Sequence, residues 1–166
     1  MNKKLIFLIV SFLYMVTATA QPLLIPYPRS IEIREGYFSL MLYDIAGQRD
    51  GQVIPQPLFA QPCREGVRVA ESLGAEGYRM NISADSIVIE GAENAGVFYG
   101  IQTLRQLAAQ NRLAIPCMEI FDKPEYEWRD FMLDEARHFK GKVVVKQLLE
   151  EMAYLKMNKF HWHLTD

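Results

Sequence analysis

Apolar and polar positions change rhythm several times along this chain. Pro26-Tyr27-Pro28 is an extended lead-in, and Ile31-Glu32-Ile33-Arg34 then alternates apolar with charged. That two-residue period is the pattern of a half-buried strand. Gly36 is expected to turn the chain, with Tyr37-Phe38-Ser39-Leu40 returning as a second strand. Residues 51–62, with three prolines, read as loop. Residues 67–73 fit one amphipathic helix. Two apolar runs, 78–82 and 86–90, flank the polar turn Ser83-Ala84-Asp85 and predict a hairpin. Over 97–109, Val97, Ile101, Leu104 and Leu107-Ala108 recur at helical spacing. Strands with a covering helix predict a small α+β domain, a sheet covered by helices, over residues 21–118.

Residues 115–126, carrying Pro116 and Pro124, read as a connector. From Trp128 the pattern switches. Phe131-Met132-Leu133 is a short run suited to a buried strand, and 142–157 is a helix. Val145, Leu148, Leu149, Met152, Ala153 and Leu155 or Lys156 track its inner face; Lys146, Gln147, Glu150 and Glu151 face water. Residues 160–164 form the next strand. A β-α-β unit of this length implies parallel strands with a right-handed crossover. Two strands alone leave open edges, so residues 125–166 are expected to be the opening of a larger α/β unit and the chain the front part of a longer protein.

The first twenty residues change the picture. Lys3 and Lys4 precede an apolar run over 5–16, and Ala18-Thr19-Ala20 supplies a small-x-small pattern. Residues 1–20 therefore read as a secretory signal cleaved before Gln21, the protein being periplasmic or extracellular. An uncleaved anchor is the alternative, though the run is shorter than the roughly 18–20 residues of a span. Loss of the signal removes two lysines and moves the formal charge from −2 to −4. A mildly acidic chain without a basic run gives no reason to expect nucleic acid. Cys63 and Cys117 are the only cysteines. An exported protein permits a disulfide, but so wide a spacing says nothing about geometry and two buried free thiols are slightly favoured; two cysteines are too few for a structural thiolate zinc site.

The candidate chemistry lies after the two parallel strands, because ligands of parallel α/β folds meet strand carboxyl ends. Arg137 and His138 follow the first strand, and Asp166 follows the second. A guanidinium fork and a carboxylate facing one pocket suit polyhydroxyl recognition. The same two residues also suit a salt bridge between the strands, and spacing does not decide between them. His161 and His163 share a strand face, but no third metal ligand has convincing spacing, so no metal and no cofactor are expected. Trp162, on the opposite face, is expected to pack under helices. Asp134 and Glu135 alternate across the strand, which makes them poor partners for acid–base work.

These residues resemble one family. The run 128–139, Trp-Arg-Asp-Phe-Met-Leu-Asp-Glu-Ala-Arg-His-Phe, followed by 152–166, Met-Ala-Tyr-Leu-Lys-Met-Asn-Lys-Phe-His-Trp-His-Leu-Thr-Asp, resembles the start of the catalytic barrel of family 20 glycoside hydrolases, the β-N-acetylhexosaminidases. Residues 25–28, 76–80 and 95–104 resemble the small domain that precedes that barrel. Asp130 stands where the family often has glycine. The resemblance implies the first β-α-β unit of a truncated (β/α)8 TIM barrel over 125–166. It implies an exo-acting enzyme that removes terminal N-acetylglucosamine or N-acetylgalactosamine from a glycan by a substrate-assisted, retaining reaction. Arg137 would hold hydroxyls of the terminal sugar, and Asp166, with His163, would help form the pocket. The catalytic Asp-Glu pair is expected beyond Asp166, so the 166 residues by themselves are expected to be inactive.

Overall fold

A computed structural model describes residues 21–40, 48–49, 52–53, 59–62, 73–111 and 113–165. The expected signal, Cys63, nearly all of the expected helix at 67–73, and Asp166 lie outside them. In chain order the elements are β1 (Ser30–Ser39), β2 (Gln48–Arg49), β3 (Gln52–Val53), β4 (Phe59–Pro62), β5 (Tyr78–Ile82), β6 (Ile87–Gly91), α1 (Asn94–Gln110), β7 (Ala114–Asp122), β8 (Asp130–Asp134), α2 (Lys142–Tyr154) and β9 (Lys159–His163). One sheet runs β1-β7-β5-β6-β4, antiparallel except for the parallel β4–β6 edge. The short β2–β3 pair stands apart, as does the parallel β8–β9 pair.

The hairpin forms where the pattern places it. Ser83 Oγ accepts the Ser86 backbone N–H at 3.0 Å, so the polar turn closes on its own side chain. Tyr78, Met80 and Ile82 of β5, with Ile87 and Ile89 of β6, point to one buried face. Leu104, Leu107 and Ala108 of α1 pack onto that face with Met118 and Ile120 of β7. The approach is close because α1 presents glycines to the sheet. A Cβ on Gly96 would stand 2.1 Å from Gly77 O, and one on Gly100 would stand 2.5 Å from Ile89 Cγ2. Among the described residues, no helix is long and apolar enough to cross a membrane.

Two expectations about the first domain fail. Gly36 does not reverse the chain: both halves of β1 pair with β7, through Ile33↔Met118 and Tyr37↔Pro116. Arg34, Glu35 and Gly36 stand opposite Cys117 alone, a bulge in which Gly36 takes φ +100. The supposed connector at 115–126 is mostly β7, a central strand that runs past residue 118 to Asp122. Pro116 is tolerated because it sits beside the bulge and beyond the end of the β5 pairing, where no ladder needs its missing N–H.

In the second unit, β8 and β9 pair in parallel with Asp130↔Lys159 through Asp134↔His163. β8 is not a buried strand among the described residues, since Phe131 and Met132 are 39% and 58% exposed. Two paired strands and one helix leave the other side of the ribbon uncovered. The helix ends at Tyr154, before the expected 157, and of its inner face Val145 and Met152 are buried while Leu149 is exposed. A left-handed residue, Lys156 at φ 59, stops it. Lys156 N–H donates to Ala153 O at 3.0 Å and Met157 N–H to Met152 O at 2.8 Å, the pair of hydrogen bonds of a Schellman ending.

The two units meet through polar contacts near that helix end. Lys156 Nζ donates to Asp122 Oδ2 at 2.8 Å and to Tyr78 OH at 3.0 Å. Arg129 Nη2 donates to Glu76 Oε2 at 2.7 Å, and Asn158 Nδ2 to Glu76 Oε1 at 3.0 Å. Gln106 of α1 donates to Tyr154 O at 2.9 Å.

Candidate active site

The carboxyl ends of β8 and β9 are brought level by their register, which sets Asp134 beside His163. Glu135 and Ala136 then donate their backbone N–H groups to His163 O, at 2.9 and 3.2 Å. This folds the following loop over the end of β9. Asp134 Oδ1 accepts the Arg137 N–H at 3.3 Å and lies 3.4 Å from His163 Nδ1. Chiefly through that N–H, and with help from His163, the Asp134 carboxyl is held below the usual carboxylate range. Its role here is to orient the imidazole and the loop.

Glu135 faces the other way, as alternation requires. It is 4% exposed, and both of its carboxylate oxygens accept hydrogen bonds. Oε1 accepts the N–H groups of Lys140 and Gly141 at 2.7 and 3.2 Å, and Oε2 accepts the Trp162 indole N–H at 3.1 Å. Trp162 is thus tied to the loop by its indole N–H rather than covered by a helix, being 44% exposed. The segment 135–141 becomes a ring closed on one buried carboxylate. No sequence pattern marked Glu135 for this work; a carboxylate shortly before a helix start was the available signal.

Arg137 stands on that ring. Its side chain is 80% exposed, with Nε 3.7 Å from Asp134 Oδ2. The ion pair it makes among the described residues is therefore a loose one to its own strand end. The inter-strand contact at this point is Asp134 with His163. Geometry brings Arg137, Asp134 and His163 together, while the expected partner Asp166 lies outside the described residues. His161, two residues before His163 on the same face, is exposed. An exposed guanidinium with a carboxylate-oriented imidazole at the ends of parallel strands can recognise hydroxyl-rich ligands. Neither Asp134 nor Glu135 stands free, because each carboxylate is already engaged by the loop that follows β8 and by β9.

The second polar cluster lies at the seam between the units, beside a cavity of about 540 Å³ lined in part by Tyr27, Tyr99, Tyr126, Arg129 and Lys156. Burial pushes the Lys156 ammonium down from its ordinary value, opposed by Asp122, and burial pushes the Tyr78 phenol well up. Sequence reading placed Lys156 only as one end of an apolar stripe and passed over Asp122.

A small sheet-and-helix domain leads into a β-α-β unit of parallel strands, with polar side chains gathered at its strand ends. Residues 43–123 match the family model described as glycosyl hydrolase family 20, domain 2, and residues 126–166 match that of the family 20 catalytic domain. The chain belongs to glycoside hydrolase family 20. It is 34% identical over 125 residues to a beta-hexosaminidase of Akkermansia muciniphila, covering 69% of this chain and 25% of that protein. A crystal structure of a beta-N-acetylhexosaminidase superposes with a TM-score of 0.69 at 34% identity, over 89% of this chain and 28% of that one. An exo beta-N-acetylglucosaminidase from Vibrio harveyi, solved in complex with N-acetylglucosamine, gives a TM-score of 0.66 at 27% identity, over 88% and 26% of the two chains. The chain spans 10 to 25% of the length of the curated relatives it matches.

Proposed function

We propose that the protein carrying this chain is an exported, exo-acting β-N-acetylhexosaminidase. It removes terminal N-acetylglucosamine or N-acetylgalactosamine from glycans, and residues 125–166 begin its (β/α)8 barrel. The observation that carries this reading is the exposed Arg137 fork at the end of the first of two parallel strands, inside the region matched by the family 20 catalytic domain.

Arg137 donates to hydroxyls of the terminal sugar, where a planar fork reads two oxygens at once. Asp166 accepts from the same ring, and His163, oriented by Asp134, lines the pocket. The reaction is substrate-assisted, the exception among glycosidases to a protein nucleophile. The oxygen of the 2-acetamido group attacks the anomeric carbon as the glycosidic bond breaks, and a carboxylic acid outside this chain gives its proton to the departing oxygen. Water then opens the resulting ring with retention. No metal or cofactor enters the scheme.

Hydrolysis of paired aryl substrates tests the reading. The protein should turn over an aryl β-N-acetylglucosaminide and leave the aryl β-glucuronide intact, while a polypeptide of these 166 residues turns over neither. Activity on the glucuronide alone would instead make the protein a glucuronidase-like hydrolase with a similar leading domain.

A further inference from the structure

The buried Lys156 is an unusual choice twice over. It occupies the left-handed position that ends α2, where glycine fits without a Cβ penalty. The residue is 5% exposed, although its ammonium is a group that water would solvate well. The side chain crosses the seam to Asp122 at the end of β7 and to Tyr78 at the start of β5, and its ammonium lies 5.0 Å from the Tyr78 ring centroid. Tyr78 and Asp122 are direct cross-strand neighbours, and Tyr78 OH also meets Thr103 Oγ1 of α1 at 2.6 Å. The acceptors for Lys156 are thus built wholly from the small domain, and the donor wholly from the β8–α2–β9 unit.

The adjoining cavity does not turn this cluster into a ligand site. Lys156, Asp122, Tyr78, Arg129 and Glu76 all face it and are all bonded to one another or to neighbouring backbone. Their geometry is that of a joint. A buried ion pair adds little net stability, because desolvation offsets the attraction, but breaking it leaves a charge buried without its partner. That asymmetry penalises every docking angle except the one that seats Nζ on Asp122. An apolar seam would lack that discrimination.

We infer that Lys156 is a docking pin, a positioning residue whose buried contact with Asp122 holds the β8–α2–β9 unit against the small domain in one orientation and thereby places the Arg137 loop. The docking is independent of the hexosaminidase reading; only its consequence for substrate rests on that reading.

Amide hydrogen exchange on the protein tests the pin without reference to activity. Lys156→Met keeps the aliphatic length and removes the charge. The N–H groups of Asn158 and Lys159, which bond to Arg129 O, and those of the β8–β9 ladder should then exchange roughly 10²–10³ times faster. The β5–β6 ladder should change by less than about threefold, since it opens as a separate unit. Lys156→Gly should loosen the seam equally, although the backbone position suits glycine. If Lys156→Met does not fold, Asp122→Leu/Lys156→Met leaves no charge unpaired; it should restore protection to the small domain and not to the seam. Equal loss in both sheets would make Lys156 a general stabiliser and overturn the pin. So would full seam protection in Lys156→Gly or in the double variant.

Discussion

At the residue scale, the strand-end carboxylates divide their work according to which face they reach. Asp134 orients His163 and the Arg137 backbone, and Glu135 closes the loop beneath them. Alternation across β8 made that division legible in the sequence, but the depth of Glu135 was not, because its burial depends on Trp162 arriving from β9. The depressed Asp134 carboxyl has a directional consequence. A folded-state value below the unfolded one contributes stability that is present above the ordinary carboxylate range and lost as pH falls through the depressed value. Carboxyl-carbon NMR should therefore show Asp134 titrating below ordinary aspartates, with the midpoint rising in His163→Ala. An ordinary midpoint in the unmodified protein would remove the orienting role. Glu135→Gln should be costly for a different reason: one carboxylate lobe becomes an N–H₂ facing a buried donor, destabilising the loop by about 1–3 kcal/mol. Faster amide exchange at Lys140 and Gly141 is the expected sign, and unchanged exchange there would show that the ring does not depend on the charge.

Among the elements, periodicity located the hairpin, α1, β8, α2 and β9, because each buries or pairs one face along its own length. It missed β7 and misread β1 for one physical reason. Proline and glycine ordinarily punctuate a chain, whereas Pro116 and Gly36 lie on facing strands at a single bulge. Only the pairing partner reveals that. The glycines of α1 carry the reverse lesson, since helical spacing gives no hint of how near the sheet lies. Gly96→Ala must push a methyl into Gly77 O, so α1 and the sheet have to part. Overpacking of this kind costs about 1–3 kcal/mol. Urea unfolding of the variant should show a lowered midpoint with little change in slope. An unchanged midpoint would mean that the α1–sheet contact is looser than these distances imply.

For the whole molecule, the two units are joined by buried polar bonds rather than by a continuous apolar core, and the end of α2 serves both. The same segment ends the helix, meets Asp122 and Glu76, and launches β9 toward His163. Fold and family were legible because their motifs are local and ordered along the chain. The seam was not, since its partners are distant in sequence: Tyr78 to Lys156, Glu76 to Asn158. Of the expected site residues, Arg137 and His163 come together at neighbouring strand ends, while Asp166 lies outside the described residues. The central claim is that the Arg137 fork recognises the terminal N-acetylhexosamine, and kcat/KM on an aryl β-N-acetylglucosaminide tests it most directly in the protein carrying this chain. Two charge-assisted hydrogen bonds of roughly 1.5–3 kcal/mol each predict a fall of about 10²–10⁴ in Arg137→Ala. With the fork geometry lost, Arg137→Lys should recover less than about a tenth of the original value. Near-normal kcat/KM in Arg137→Lys, with thermal unfolding unchanged, would contradict the account.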